Sequence, residues 1–286
     1  MTHYTLLVGS SGGGLPATSF VELTSGSSTF SVPDGYNAIH IQYAVGGGGG
    51  AAGGVSYDKA GGESAGAGGG SGAYVSDKIF SVTEGETLTY SIGGGGAPGN
   101  QTANFGQPKI ADDGTDTTLS GSSTGSLFTL GGGGGSSGTG GGVQGPVRTN
   151  TAGTAGSATI NGTAITSGIF ADTDNSVKNV TSNTSGPTTT FNDSGDGAVG
   201  NISGDVGQGP GNCNGDNCQI AGSDGADSYD GNVSGGNGVG IGGPAATAGT
   251  RGSGGGGGGA ENIGSTGATG FAGGDGEIKY RFLQVI

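Results

Sequence analysis

Tryptophan is absent from this chain of 286 residues, and aromatic residues make up only 6% of it. A conventional core of large side chains therefore cannot fill the whole length. Proline is scarce as well, with 8 residues, which excludes collagen because that fold needs a sustained Gly-X-Y frame rich in proline. The 8 lysine and arginine residues are scattered singly against a formal charge of −14, so the sequence offers no basic face for nucleic acid.

Glycine, in contrast, supplies 76 residues, in pure runs and in spaced repeats. The pure runs are 46–50, 93–96, 131–135 and 254–259. The clearest repeat places glycine at every third position, at Gly264, Gly267, Gly270, Gly273 and Gly276. A period of three matches a left-handed extended helix with three residues per turn, in which every third position can face a neighbour without a side chain in the way. The pattern predicts close packing of such helices, against the alternative of a flexible glycine and serine linker.

Alternation of apolar and polar residues predicts a small set of β-strands. The last of them should return to pair with the early strands, with alternate members of Ile278, Tyr280, Phe282 and Val285 turned inward. The turn "TEGE" (83–86) is expected to join two strands as a hairpin. The predicted strands are 19–24, 28–32, 37–45, 72–82, 87–92 and 277–286, with 126–130 as a weaker candidate.

The predicted fold class is mainly β plus polyglycine: a small β-sandwich base carrying a packed bundle of short left-handed polyglycine helices. Residues 1–18 form an amino-terminal arm in this interpretation, and residues 19–286 form a single glycine-rich domain. Its β base comes from 19–45, 72–92 and 277–286. Its polyglycine excursions cover 46–71, 93–125 and 131–276, which are too long to be structureless loops in a compact domain.

The sequence offers little for chemistry or for membrane insertion. The first residues lack the basic leader of a signal peptide, and no apolar run is long enough to span a membrane. Cys213 and Cys218 are expected to form a disulfide or to remain two free thiols, ahead of a zinc site, because only His3 and His40 are available as further nitrogen ligands. His40 alternates with apolar neighbours and is most simply a solvent-facing strand residue. We expect no metal, no cofactor and no enzymatic activity.

Acidic stretches at 172–176 and 223–227 resemble fragments of calcium loops, but neither continues to the glutamate that a helix-loop-helix site needs. Polar turns are the simpler interpretation. Bulky residues interrupt the glycine tracts elsewhere and should lie near the ends of the glycine segments. There they serve as contact residues for a receptor or partner, or as end caps that pack together. The predicted contact residues are Tyr57, Asp58, Lys59, Phe105, Phe170, Phe191 and Tyr229.

Three stretches carry a family resemblance: "FSVPDGYNAIHIQYAVGGGGG", "GGGSGAYVSDKIFSVTEGETLTYSIGGGG" and "GGDGEIKYRFLQVI". Their order resembles the glycine-rich domain of tailed-phage fibre proteins, a group that includes the receptor-binding tip adhesins of T-even-like phages. The resemblance covers about residues 28–286. It implies a sandwich of packed polyglycine helices, with recognition in variable loops at the far end.

The expected function is accordingly that of a non-enzymatic virion surface protein, a tail fibre or tail-tip adhesin that contacts the host receptor through loops. Its partners would be other virion proteins of the tail fibre, baseplate or capsid, and a host cell-surface receptor, with no nucleic acid and no membrane insertion. Its location would be the virion, after synthesis in the host cytoplasm. Two alternatives stay open: a structural or decorative virion component without a receptor, and an ice-binding antifreeze protein, which a thermal hysteresis measurement would identify.

Overall fold

All regular elements of the described residues are β-strands. The computed structural model describes residues 15–53, 66–99, 108–139, 150–165, 179–180, 191–192, 224–228, 235–236, 247–255, 257 and 269–285. The strands are β1 Val21–Leu23, β2 Ser27–Ser31, β3 Ala38–Val45, β4 Tyr74–Ser81, β5 Thr87–Ser91, β6 Pro108–Ile110, β7 Thr117–Gly121, β8 Gly125–Leu130, β9 Ser137–Thr139, β10 Asn150–Thr151, β11 Ala158–Ile160, β12 Thr163–Ile165, β13 Asn179–Val180, β14 Phe191–Asn192 and β15 Glu277–Leu283. Each stretch that the alternation predicted as a strand overlaps one of them.

Two antiparallel sheets dominate the fold. One has four strands in the order β1-β15-β3-β4, and the other has six in the order β12-β11-β8-β7-β5-β2. A three-stranded sheet, β10-β9-β6, and the pair β13-β14 complete the described strands. Alternate residues of both large sheets point into a shared apolar cluster, where Phe80 of one sheet lies 6.0 Å from Phe128 of the other between ring centroids. The core therefore sits between the two large sheets, as expected for packed antiparallel sheets.

The closing strand β15 lies in the interior of the four-stranded sheet, between β1 and β3. Ile278, Tyr280 and Phe282 are buried in the core cluster, as the alternation predicted. Val285 departs from that prediction, since its side chain is 46% exposed. It lies beyond the end of the strand, where its N–H donates to Asn37 Oδ1 at 2.8 Å and fixes the backbone, leaving the side chain in solvent.

The turn that follows β4 does not make the predicted hairpin. β4 pairs with β3, whereas β5 pairs with β2 and β7, so the residues between them carry the chain from one sheet to the other. Glu86 holds this crossing: its carboxylate accepts N–H bonds from Thr83 at 2.7 Å and from Ser123 and Thr124 at 3.0 and 3.1 Å. Glu86 thus links the β4–β5 connection to the turn between β7 and β8, a contact that sequence spacing alone does not reveal.

Backbone hydrogen bonds connect the glycine segments to one another outside the sheets. Segment 46–52 follows β3 directly, and its successive N–H groups donate in turn to three neighbouring segments. Every third N–H group therefore bonds to the same neighbour. Gly46 and Gly49 bond to Ala73 and Gly70 and thereby continue the antiparallel order of β3 and β4. We call the described segments 46–53, 66–73, 93–99, 111–116, 131–136, 152–157, 224–228, 235–236, 247–255 and 269–276 the glycine array.

The predicted bundle of polyglycine helices on a β base is wrong. The described residues contain no helix, and their regular structure is antiparallel sheet. Further strands lie within 93–125 and 131–276, where the sequence indicated glycine helices almost throughout. Threonine and aliphatic residues favour strands there, for example in β7. The glycine segments in between are connections whose backbones hydrogen-bond to one another. The three-residue spacing of glycine was therefore not sufficient to predict a helix.

Candidate functional site

The glycine array has one end at the large sheets and a far end away from them. Gly46 follows β3 directly, and six residues further on the Ala52 N–H donates to the carbonyl of Ala67 at 3.2 Å. The Gly99 N–H donates to the carbonyl of Ala51 at 3.0 Å, which brings a third segment to the same place. The three-stranded sheet starts there too, because the Ala111 N–H bonds to Ser136 beside β6 and β9.

The side chains of the sequence-predicted contact residues fall outside what the structure describes. Tyr57, Asp58 and Lys59 lie in the stretch 54–65, and Phe105 lies in 100–107. Residues 53, 66 and 99, which border these stretches, belong to the far end of the glycine array, and residue 108 begins β6 beside it.

The other predicted residues are adjacent in sequence to, or lie in, other described elements. Phe170 follows β12, and Tyr229 follows Ser228, whose hydroxyl donates to the carbonyl of Arg251 at 2.6 Å near the four-stranded sheet. Phe191 is in β14, where its backbone pairs with Val180. Cys213 and Cys218 lie outside the described residues, as do Phe170 and Tyr229. The described residues that border Tyr57 and Phe105 therefore lie at one end of the array, whereas those that border Phe170 and Tyr229 belong to other parts of the fold.

The far end exposes one large apolar side chain in its described part. Ile110, the last residue of β6, is 65% exposed, the highest value among the large hydrophobic residues that the structure describes. Sequence reasoning missed it because its strand is three residues long and shows no clear alternation. Exposed apolar residues beside the ends of several segments are a feature of contact surfaces. A single exposed apolar residue also occurs on ordinary protein surfaces.

Aspartate and threonine side chains bind backbone N–H groups along the rim of the glycine array. These bonds replace carbonyl partners that a neighbouring segment would otherwise supply, so rim donors remain satisfied. Part of the acidic composition thus has a structural use. The rim pairs are Gly94 with Thr115 Oγ1, Gly95 with Asp275 Oδ1, Gly132 with Asp116 Oδ1, Gly135 with Asp113 Oδ1 and Gly235 with Asp227 Oδ1, and Gly93 with Thr117 Oγ1 is a buried counterpart.

A second candidate surface is the outer face of the four-stranded sheet. There Phe20, Arg281, His40 and Ile79 form a row across the strands, since Arg281 pairs in register with His40 and His40 with Ile79. The Arg281 guanidinium lies 4.5 Å from the centroid of the Phe20 ring, and its Nε donates to His40 Nδ1 at 3.1 Å. We call these four residues the outer row.

His40 is neutral in this arrangement. Its Nδ1 accepts from Arg281, so the ring proton is on Nε2, which lies 3.4 Å from Asp77 Oδ1. Burial and the adjacent Arg281 lower the pKa of His40 below 6.5, against the opposing effect of Asp77. His40 lies on the outer face of the sheet, as the alternation indicated, but its side chain is only 14% exposed because its neighbours in the row cover it, so it does not face solvent as predicted. Strand alternation alone predicts that His40 and Arg281 both face outward. Their pairing could be known only from the register of β3 and β15.

A charged cluster lies beside the outer row, where Glu22 pairs in register with Lys279 and Lys279 with Tyr43. The Tyr43 hydroxyl donates to the buried Glu277, and Arg251 Nε lies 3.2 Å from Glu277 Oε2. Lys279 Nζ lies 3.7 Å from Glu22 Oε2. Both cations of this cluster are therefore paired with glutamates.

The two glutamates of the cluster share a hydrogen bond and titrate in opposite directions. Burial, then the bond to Glu22, raises the pKa of Glu277, whereas the bond to Glu277 lowers the pKa of Glu22. Burial and the bond to Glu277 also raise the pKa of the Tyr43 hydroxyl. These shifts arise because a buried carboxyl prefers its neutral form, which can donate to its ionised neighbour.

The described part of the chain contains neither a cluster of metal-ligating side chains nor a membrane-spanning helix. Within it, no group of three or more His, Cys, Asp or Glu side chains could hold a metal ion. Nor does that part contain a helix long and apolar enough to cross a membrane.

The two antiparallel sheets, closed by β15 and joined to a backbone-bonded glycine array, define a glycine-rich protein of the all-β class. The chain belongs to the family described as the glycine-rich domain, which it matches over residues 23–283. A comparison with curated proteins finds no match.

Proposed function

We propose that this chain is a non-enzymatic surface protein of a phage virion, a tail fibre or tail-tip adhesin that contacts the host receptor at the far end of the glycine array. Its other neighbours would be virion proteins of the fibre, baseplate or capsid. The family assignment agrees with the glycine-rich part of this proposal. The phage origin derives from the resemblance of the strand and glycine-run sequences described above.

One observation carries the proposal for the far end. Backbone bonds bring Ala52 to Ala67 and Gly99 to Ala51 at the far end, so the segments that precede and follow the bulky residues Tyr57 and Phe105 in the sequence meet there. These glycine segments are buried and bonded through their backbones, with few side chains to offer a ligand. Specific recognition would therefore depend on the residues that interrupt the glycine segments, on a rigid support.

The experiment that tests the proposal is adsorption of variant phage to its host. Tyr57→Ser, Phe105→Ser and Ile110→Ser are each introduced at the far end, and Val285→Ser, an exposed apolar residue near the end of β15, is the matched control. Each purified variant is first checked for the thermal unfolding midpoint of the parent. We expect at least one far-end variant to weaken receptor binding by about 2 kcal/mol, as for a central aromatic or apolar anchor, and the control to leave adsorption unchanged.

Unchanged adsorption in all three far-end variants contradicts the adhesin proposal. Phe170→Ser and Phe191→Ser extend the series to predicted contact residues that are not adjacent in sequence to the far end. A loss confined to these two would place the contact elsewhere in the chain and overturn the far-end assignment.

A further inference from the structure

The outer row presents an arginine whose orientation is fixed and whose terminal nitrogens have no hydrogen-bond partner among the described residues. The guanidinium of Arg281 packs on the Phe20 ring, and its Nε is occupied by His40. Stacking on an aromatic ring leaves the edge of a guanidinium available for hydrogen bonds, and two parallel N–H groups match the geometry of a carboxylate. Within the described residues, no carboxylate oxygen lies within 4.0 Å of Arg281.

The other two cations that the structure describes on this face differ from Arg281. Arg251 and Lys279 are each paired with a glutamate of the neighbouring cluster. Arg281 therefore remains the cation of this face whose charge lacks a carboxylate partner among the described residues. In a chain with a formal charge of −14, a cation left without a carboxylate and held in place is better suited to binding than to balancing local charge.

Apolar side chains flank Arg281 along the same row. Phe20 and Ile79 are each 37% exposed, on the two sides of the arginine and histidine. A ligand that uses all four residues would place a carboxylate at Arg281 and apolar groups beside it. A second copy of this chain is a poor candidate because its own charge of −14 opposes association.

We propose that the outer row is a docking site for an extended peptide segment of a partner protein that carries a carboxylate between apolar side chains. Arg281 would bind the carboxylate through both terminal nitrogens, and Phe20 and Ile79 would contact the apolar side chains. The face is separated from the far end by the whole length of β3 after His40 and by the glycine array. The site therefore does not depend on the proposed function, and its test does not involve receptor binding.

The test follows the side-chain Nε–H signal of Arg281 by nuclear magnetic resonance in the full chain, which contains three arginines. The probe is acetyl-Leu-Asp-Leu-amide, and its isosteric control is acetyl-Leu-Asn-Leu-amide. The signal is assigned from its loss in Arg281→Lys. We expect saturable movement of the Arg281 signal with the aspartate peptide and none with the asparagine peptide, while the Arg251 signal stays in place.

Affinity measurements on variants complete the test. Arg281→Lys keeps the charge but loses the paired donors and should weaken peptide binding by about tenfold or more. Arg251→Lys is the matched control and should bind as the parent does. Phe20→Leu, which removes the ring under the guanidinium, should weaken binding even if Arg281→Lys does not fold.

Three outcomes would overturn the docking site. The first is an Arg281 signal that does not move with the aspartate peptide. The second is equal binding by Arg281→Lys and the parent. The third is inorganic phosphate binding at Arg281 as tightly as the peptide, which would indicate an unspecific anion site without a role for the apolar flanks.

Discussion

Arg251 reaches across from the glycine array to Glu277, the first residue of β15, with its Nε 3.2 Å from Glu277 Oε2. Arg251 adopts a left-handed backbone conformation, with φ of 44°, in the turn that Ser253 closes by a bond to the carbonyl of Thr250. This contact thus connects a strained turn of the array to a buried carboxyl of the sheet. Because Glu277 is almost fully buried, its protonation state affects how this connection contributes to stability.

Glu277→Gln should make the free energy of unfolding depend less on pH as the pH rises above 4.5. The folded pKa of Glu277 is raised above 4.5, so the folded state holds this proton more tightly than the unfolded chain. That contribution is complete below 4.5 and is lost as the pH rises through the folded pKa. Glutamine stays neutral and cannot lose it. Thermal unfolding midpoints between about pH 4 and pH 8 provide the measurement.

The control for this prediction is Glu84→Gln, which changes an exposed glutamate in a turn. It should leave the profile of the parent unchanged. A Glu277→Gln profile as steep as that of the parent would show that another group produces the slope.

Gly48→Ala should destabilise the protein, and Gly94→Ala should not. A Cβ at Gly48 would overlap the backbone carbonyl of Ser253, whereas a Cβ at Gly94 has no neighbour closer than 3.9 Å. Overpacking against backbone costs about 1 to 3 kcal/mol. Chemical denaturation of both variants measures the difference in the free energy of unfolding. Equal stability of the two would mean that close contact inside the glycine array does not decide which glycines are needed.

Asp275→Ala should destabilise the array, while Asp275→Asn should be close to the parent. Asp275 Oδ1 accepts the N–H of Gly95 at 2.9 Å, and asparagine keeps this oxygen. Since the bond is exposed, we expect a loss of at most about 1 kcal/mol in the free energy of unfolding for alanine. Hydrogen exchange of the Gly95 amide reports the bond directly. Alanine and asparagine variants with equal protection at Gly95 would rule out the side chain as its acceptor.

Glu86→Gln should weaken the protein at neutral pH and make it less sensitive to acid. Burial opposes ionisation of Glu86, but the N–H bonds from Thr83, Ser123 and Thr124 outweigh it and lower the pKa. Stability from this group is therefore present above 4.5 and is lost as the pH falls through the lower folded pKa.

Glutamine replaces one acceptor by a donor that faces N–H groups, which costs about 1 to 3 kcal/mol. Acid titration followed by near-ultraviolet circular dichroism compares Glu86→Gln with Glu84→Gln. Coincident acid transitions in the two variants would exclude Glu86 as the acid-sensitive connection between the turns.

The strands could be predicted from the sequence because period-two alternation is a local property. It placed β15 and turned Ile278, Tyr280 and Phe282 inward without knowledge of any partner. The abundance of glycine likewise indicated segments that approach one another closely, and a side chain at Gly48 or Gly270 would indeed overlap a neighbouring backbone. What the glycine period did not determine was the type of structure, which was wrongly predicted as a bundle of helices.

Only the tertiary structure decided which distant residues meet. Gly95 and Asp275 are 180 positions apart, and His40 and Arg281 are 241 apart, so no local pattern couples them. The tertiary structure also decided that β4 and β5 belong to different sheets. A tight turn between two strands allows either a hairpin or a connection from one sheet to the other. Alternation specifies which face of a strand is buried, whereas pairing and register depend on the free energy of the whole packed chain. The glycine segments carry still less local information, because their backbone donors can bond to any segment that comes close enough.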